Sequence, residues 1–276
     1  MKGSVPSPEP PLSSRTVTPD PSGHPLNHPR LNLFSDLLAE LGAGSSGPRP
    51  GSQEGGQRHQ VLGTAIDAAP EPGQGEACFG CGCFWGAEKG FWRLPGVVTT
   101  AVGYAGGQRP DPSYEQVCSG RTGHAEVVRV VWDPAVIGFA DLLKLFWECH
   151  DPTQGDRQGN DRGSQYRSAI YVDDPALLAL AEASRNAYGQ ALTARGYGAI
   201  TTEIASQRHF YPAEAYHQQY LARPGSRPYC SAQPSGVPLG AFDGADYRLP
   251  EAVWQAFDWS IPHCVLRGDN RPIALP

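Results

Sequence analysis

The residues best suited to chemistry stand close together. Three of the seven cysteines fall within Cys78-Phe79-Gly80-Cys81-Gly82-Cys83, and Phe84-Trp85-Gly86 follow at once. Phe84, Glu88, Phe91 and Trp92 recur at helical spacing until Pro95-Gly96 supplies a stop, so Cys83 is placed at a helix start. The macrodipole and unpaired amides there favour a thiolate and draw a cysteine pKa down from about 8.5. Cys83 is therefore the best candidate nucleophile, with Phe84 and Trp85 as an apolar wall beside the sulfur. Cys78 and Cys81 form a C-x-x-C unit that, with Cys83, offers a rival reading as a zinc site or a dithiol. That zinc reading lacks a clear fourth ligand, and no metal or other cofactor is expected. An odd, sparse set of cysteines does not fit a disulfide scaffold.

The elements that must position this cysteine follow from periodicity. Residues 76–82 read as a short strand and turn, 84–94 as a helix, 97–104 and 126–132 as strands, and 139–148 as a helix. The polar, Gly-rich stretch 151–165 is too long for a plain connector and is expected to be functional. A strand over 168–172, a helix over 175–195, a strand over 200–205 and a short helix over 213–221 complete the pattern. Strands and helices mix without strict alternation. The fold class expected is α+β, a two-layer sandwich with a mixed, mostly antiparallel sheet and flanking helices. Strand alternation sets Glu126 on the same face as Val128, Val130 and Trp132, where its carboxyl loses hydration and its pKa rises, as a general acid requires. His124 and His217 have no orienting partner that spacing can supply, and both are read as structural.

Composition divides the chain into three. Residues 1–75 carry one aromatic, Phe34, against twenty-five in 76–276, so a packed core is expected only from Glu76. The first part reads as a disordered Pro/Gly-rich leader with an amphipathic helical stretch over Leu31 to Leu41, residues 76–230 as the catalytic domain, and 231–276 as a flexible tail with a helical piece near 252–259. The net charge of -6 and the lack of any Lys/Arg run exclude a nucleic-acid footprint. No apolar run is long enough for a membrane span, and the start lacks a secretion signal. A cytoplasmic monomer is expected, the alternative being an organelle reached through the leader.

Longer motifs then carry a resemblance. Gly82-Cys83-Phe84-Trp85-Gly86, Gly103-Tyr104-Ala105-Gly106-Gly107, Tyr114-Glu115-Gln116-Val117-Cys118-Ser119-Gly120, Thr122-Gly123-His124-Ala125-Glu126, His150-Asp151-Pro152, Gln158-Gly159-Asn160-Asp161, Gln165-Tyr166-Arg167-Ser168 and Tyr216-His217-Gln218-Gln219-Tyr220-Leu221 occur in order. Together they resemble the A-type peptide methionine sulfoxide reductases over about residues 76–230. The resemblance implies that Cys83 attacks the sulfoxide sulfur, Glu126 supplies a proton, Tyr114 and Tyr166 hydrogen-bond the oxygen, Phe84 and Trp85 seat the methyl group, and Asp161 anchors substrate. It implies repair of the S epimer in oxidised proteins through a sulfenic acid and a disulfide that thioredoxin reduces, with free methionine a further candidate substrate. Cys230 matches the resolving position. Cys264, 34 positions on in unfamiliar sequence, is a second, weaker resolving candidate, and Cys78 or Cys81 are alternatives to Cys230.

Overall fold

The computed structural model describes residues 56–276, apart from Gln207, His263, Arg267 and the Cys264 side chain. The leader up to residue 55, with the helix expected over Leu31 to Leu41, lies outside the described residues. Among the described residues eight strands are present: β1 Gly75–Cys81, β2 Val97–Ala105, β3 Ala125–Trp132, β4 Arg157–Gln158, β5 Asp161–Arg162, β6 Ser168–Tyr171, β7 Glu203–Ala205 and β8 Tyr211–Pro212. Six of them form one sheet in the order β7-β6-β1-β3-β2-β8, antiparallel throughout except for β6 and β7. β4 and β5 make a separate small hairpin. The helices are α1 Phe84–Trp92, α2 Tyr114–Cys118, α3 Phe139–Cys149, α4 Pro175–Ala194 and α5 Glu251–Trp254. The expected α+β architecture with a mixed, mostly antiparallel sheet is present.

The two faces of the sheet differ. Register pairs Phe79 with Val128 and Tyr104 with Glu126, so period-two alternation puts Phe79, Cys81, Glu126, Val128, Val102 and Tyr104 on one face. Helices α1 and α3 cover it: Phe79 stacks on Phe91 of α1 at 4.8 Å and meets Phe146 of α3 at 5.8 Å. All nine residues of α1 are buried, because sheet, α3 and tail enclose it. The other face carries Cys78, Ala105, Ala125, Val127, Ala169 and Tyr171. Helix α4 starts where Asp174 accepts the Ala176 amide beside Pro175, and it buries only Ala181, Ser184, Tyr188 and Leu192, a stripe at helical spacing against α3.

Three expectations are corrected. The packed region starts well before Glu76. His59 and Ile66 are buried, His59 Nε2 donates to Thr100 Oγ1 at 2.8 Å, and the Arg129 guanidinium holds the Ile66 and Ala68 carbonyls while pairing with Glu76. The tail is not free. Asp141 accepts the Arg248 and Leu249 amides, Glu148 accepts the Leu239 amide at 2.7 Å, Lys89 reaches the Gly268 carbonyl at 2.7 Å, and Val237, Leu239, Val253 and Trp254 are buried. Beyond the short α5 and a 3-10 turn over Cys264–Leu266, Gly and Pro there forgo regular structure, and side-chain carboxylates satisfy part of the backbone instead. Residues 213–221 form no α-helix. Successive i to i−3 bonds from His217, Tyr220 and Ala222 tighten the segment into turns, and Gln219 stands in the left-handed region at φ 47°. The Gln218 and Gln219 side chains are spent on Val102 and Glu88.

Candidate active site

Gly82, at φ 88°, turns the chain from β1 into α1, and a Cβ there would fall 2.6 Å from Gln158 Cβ. The turn makes Cys83 the N-cap of α1, with φ −55° and ψ 122°. The first amide of the helix is capped from β3 instead: Phe84 N donates to Glu126 Oε2 at 3.1 Å. The nucleophile candidate and the acid candidate are thus joined by one hydrogen bond across the helix–sheet boundary. Glu126 Oε1 is buried and makes no hydrogen bond among the described residues.

Burial decides the electrostatics here. Glu126 is wholly shielded, and desolvation pushes its carboxyl well above the usual range, against the Phe84 amide and with a further push from Asp161. Burial thus favours its protonated form. The thiolate expectation for Cys83 is corrected. Its thiol is 4% exposed, and burial first, then Glu126 and Asp161, raise its pKa well above the ordinary thiol value although the Trp85 amide favours the charged form. A helix start is legible in sequence; the depth at which it is buried is not.

The remaining candidates converge on the same place. Tyr114, first residue of α2, and Tyr166, at the end of the 3-10 turn Ser164–Tyr166, are buried, and desolvation followed by Glu126 raises both phenols, so both stay protonated donors. Asp161 opens β5, the hairpin within the loop singled out for its length, and Tyr229 donates to Asp161 Oδ1 at 2.5 Å. Trp85 stacks on Tyr220 at 3.8 Å and donates through Nε1 to His217 Nδ1 at 3.2 Å. Cys230 is buried against α1: a Cβ on Gly86 would lie 2.5 Å from its sulfur, and a Cys230 thiolate would oppose ionisation of Cys83. Its own thiol is pushed up to about 12 by burial. The Cys264 side chain lies outside the described residues. Cys78 sits on the opposite face of β1 from Cys81, so Cys78, Cys81 and Cys83 are not assembled as one metal cluster, and Cys78 is removed from Cys83.

Sequence reasoning passed over several residues of this site. His217 is held neutral, its pKa lowered to about 3 by burial, and its ring packs on Phe84, Trp85 and Tyr114. It is thus a wall of the site as well as a structural residue. His124 is structural as expected, bonded to the Gly107 amide and the Arg109 carbonyl. Glu214 accepts from Tyr104 Oη and from the Tyr114 amide, both at 3.0 Å, and so fixes the start of α2. The polar residues recurring in 214–219 were the available signal.

With this geometry, the model of the family described as peptide methionine sulfoxide reductase matches residues 75–238. The chain belongs to the peptide methionine sulfoxide reductase family. The reductase is 54% identical over 211 residues to the peptide methionine sulfoxide reductase MsrA of Rhodospirillum centenum, covering 76% of this chain and 92% of that one. It is 58% identical over 198 residues to the MsrA of Salinispora arenicola, covering 70% and 89%. Among solved structures, methionine sulfoxide reductase A of Corynebacterium diphtheriae superposes with a TM-score of 0.60 at 44% identity, over 71% of this chain and 95% of that one. The reductase is an oxidoreductase that reduces methionine sulfoxide in peptides.

Proposed function

We propose that Cys83 is the nucleophile and Glu126 the proton donor in this reduction, and that Cys230 resolves the product. The observation that carries the reading is the wholly buried Glu126 carboxyl, with one oxygen capping the Cys83 helix, the other without a hydrogen bond among the described residues, and burial favouring the protonated form. Cys83 sulfur attacks the sulfoxide sulfur while the Glu126 proton passes to the oxygen and the Cys83 thiol proton restores the Glu126 carboxyl. The oxygen leaves with Cys83 as a sulfenic acid, and the thioether is released. Tyr114 and Tyr166 donate to the oxygen as it gains negative charge, worth about 2.7–4 kcal/mol per well-placed donor. Phe84 and Trp85 seat the S-methyl group, and Asp161, fixed by Tyr229, holds the polar side of the substrate.

Cys230 then attacks the sulfenic sulfur, forming the Cys83–Cys230 disulfide and releasing water. A thioredoxin dithiol returns two electrons. The reading extends to the S epimer, in proteins and in free methionine, and to a chain acting alone as a monomer. Turnover of both epimers of a methionine sulfoxide peptide, with dithiothreitol and with thioredoxin in parallel, tests it. Cys83→Ser should give no methionine. Cys230→Ser should give one rapid equivalent and then fail to cycle with thioredoxin. Preference for the R epimer, or unimpaired thioredoxin cycling in Cys230→Ser, would overturn the assignment.

A further inference from the structure

Beyond Cys83 and Cys230, two more thiols stand on the same side of the sheet with no role in the reaction above. Cys81 ends β1 and Cys149 ends α3, and both are buried. The Cys81 and Cys149 sulfurs and a ring nitrogen of His150 lie within 4.8 Å of one another, and Cys149 Sγ also lies 3.4 Å from the Phe146 carbonyl. Between them is a void of about 10 Å³, lined by Cys81, Cys149, Gly86, Leu145 and Val265 among others. Gly86 ties this void to the active site, because the Cys230 sulfur rests on its α-carbon, and Cys149 is near enough to Cys230 to oppose its ionisation. The four thiols therefore run Cys83, Cys230, Cys149, Cys81 around the N-terminal half of α1.

A metal is a poor occupant for the trio. His150 Nδ1 lies 2.7 Å from the Phe146 carbonyl, to which it must donate, and Nε2 lies 2.8 Å from Ser168 Oγ, so neither nitrogen is available as a ligand. Two thiols remain, half a tetrahedral zinc site. Two adjacent sulfurs with room to move suit a disulfide.

We propose that Cys81 and Cys149 form a second dithiol that re-reduces the Cys83–Cys230 disulfide from within the chain. It rests on the roles given above to Cys83 and Cys230. Cys149 sulfur attacks Cys230 sulfur, forming the Cys149–Cys230 bond, breaking the Cys83–Cys230 bond and releasing Cys83, which takes up the proton. Cys81 then attacks Cys149 sulfur, forming the Cys81–Cys149 disulfide and returning Cys230 as a thiol. Two electrons pass from Cys81 and Cys149 to the active pair, and the oxidant is the sulfoxide itself.

The consequence is a count. The full chain carrying Cys264→Ser, to silence that thiol, is reduced, freed of reductant under nitrogen and mixed with excess methionine sulfoxide peptide. Two methionines per chain are expected, together with a Cys81–Cys149-linked peptide on a non-reducing map. Cys149→Ser should halve the yield to one, whereas Cys81→Ala, in which Cys149 still frees Cys83 but nothing releases Cys230, should keep the second methionine and give a Cys149–Cys230-linked peptide in place of the Cys81–Cys149 one. One methionine per chain in the parent, two persisting in Cys149→Ser, no Cys149–Cys230-linked peptide in Cys81→Ala, or one zinc per chain bound through these thiols would overturn the relay. A Cys83→Ser control separates the two levels: methionine formed without Cys83 defeats the underlying mechanism, whereas loss of the second equivalent alone defeats only the relay.

Discussion

Glu88 and Glu126 are both wholly shielded from solvent at the boundary between α1 and the sheet, and they are furnished in opposite ways. Every neighbour of Glu88 is a donor: Gln219 N at 2.8 Å, Gln219 Nε2 at 2.7 Å and Thr100 Oγ1 at 3.0 Å. His59 stands behind Thr100. Its Nδ1 accepts the Val61 and Leu62 amides, so its Nε2 carries the proton that it donates to the threonine hydroxyl. Against that set, burial raises Glu88 only to about 7. Glu126 has one donor, Phe84 N, and is driven well above the usual range. Equal burial with unequal partners thus gives a joint that ties His59, helix and the 214–219 turn together in one case, and a carboxyl held toward its protonated form in the other.

Substitutions can break or sharpen this contrast. Loss of Cys83 as serine has the largest expected effect, no detectable turnover in the methionine assay, because a hydroxyl is neither soft nor ionised at neutral pH. Glu126→Gln should lower kcat by about 10²-fold or more, the usual scale for general-acid removal, with KM little changed. Its urea midpoint should stay close to wild type, since the amide oxygen can still accept the Phe84 amide. A change confined to KM would make Glu126 a binding residue.

Glu88→Gln should reverse that profile. An amide N–H₂ there confronts donors, costing about 1–3 kcal/mol in urea denaturation, while kcat stays within a few-fold. Loss of activity without loss of stability would show that Glu88 belongs to the chemistry. The smallest effect is on pH dependence. Between about 4.5 and about 7 the folded state keeps the Glu88 proton that the unfolded chain loses, so this group's contribution is complete below that window and declines as pH rises through it. Glu88→Gln should remove this falling component from a plot of stability against pH.

The legible parts of the molecule were those where local pattern and tertiary role coincide. The Cys83 helix start, the strand carrying Glu126 and the long loop carrying Asp161 were all readable, because spacing alone sets which residues share a face. Glu88 was visible too, as the one acid in the apolar stripe Phe84, Phe91 and Trp92. Its meaning lay in Gln219 and Thr100, which no periodicity connects. The tail was misjudged because Asp141 and Glu148 grip backbone amides about 90 to 110 positions away, and composition reports only the absent helix. His59 and Ile66 were missed since one imidazole and one isoleucine scarcely alter the average of a Pro/Gly-rich stretch. The Cys83 pKa was misjudged because the dipole is a local property and desolvation is not.

That buried sulfur has a consequence outside catalysis. A thiol whose ionisation burial opposes, behind Phe84 and Trp85 and beside the shielded Glu126 carboxyl, is a poor target for peroxide, alkylating agents and stray disulfides, all of which react with the anion. The substrate of this enzyme arises where oxidants are abundant, and a permanently ionised cysteine would be consumed by the conditions that create the damage. Chemical quiet at rest therefore lets the protein persist through the stress whose products it reverses, becoming reactive only when a sulfoxide arrives to accept the neighbouring proton.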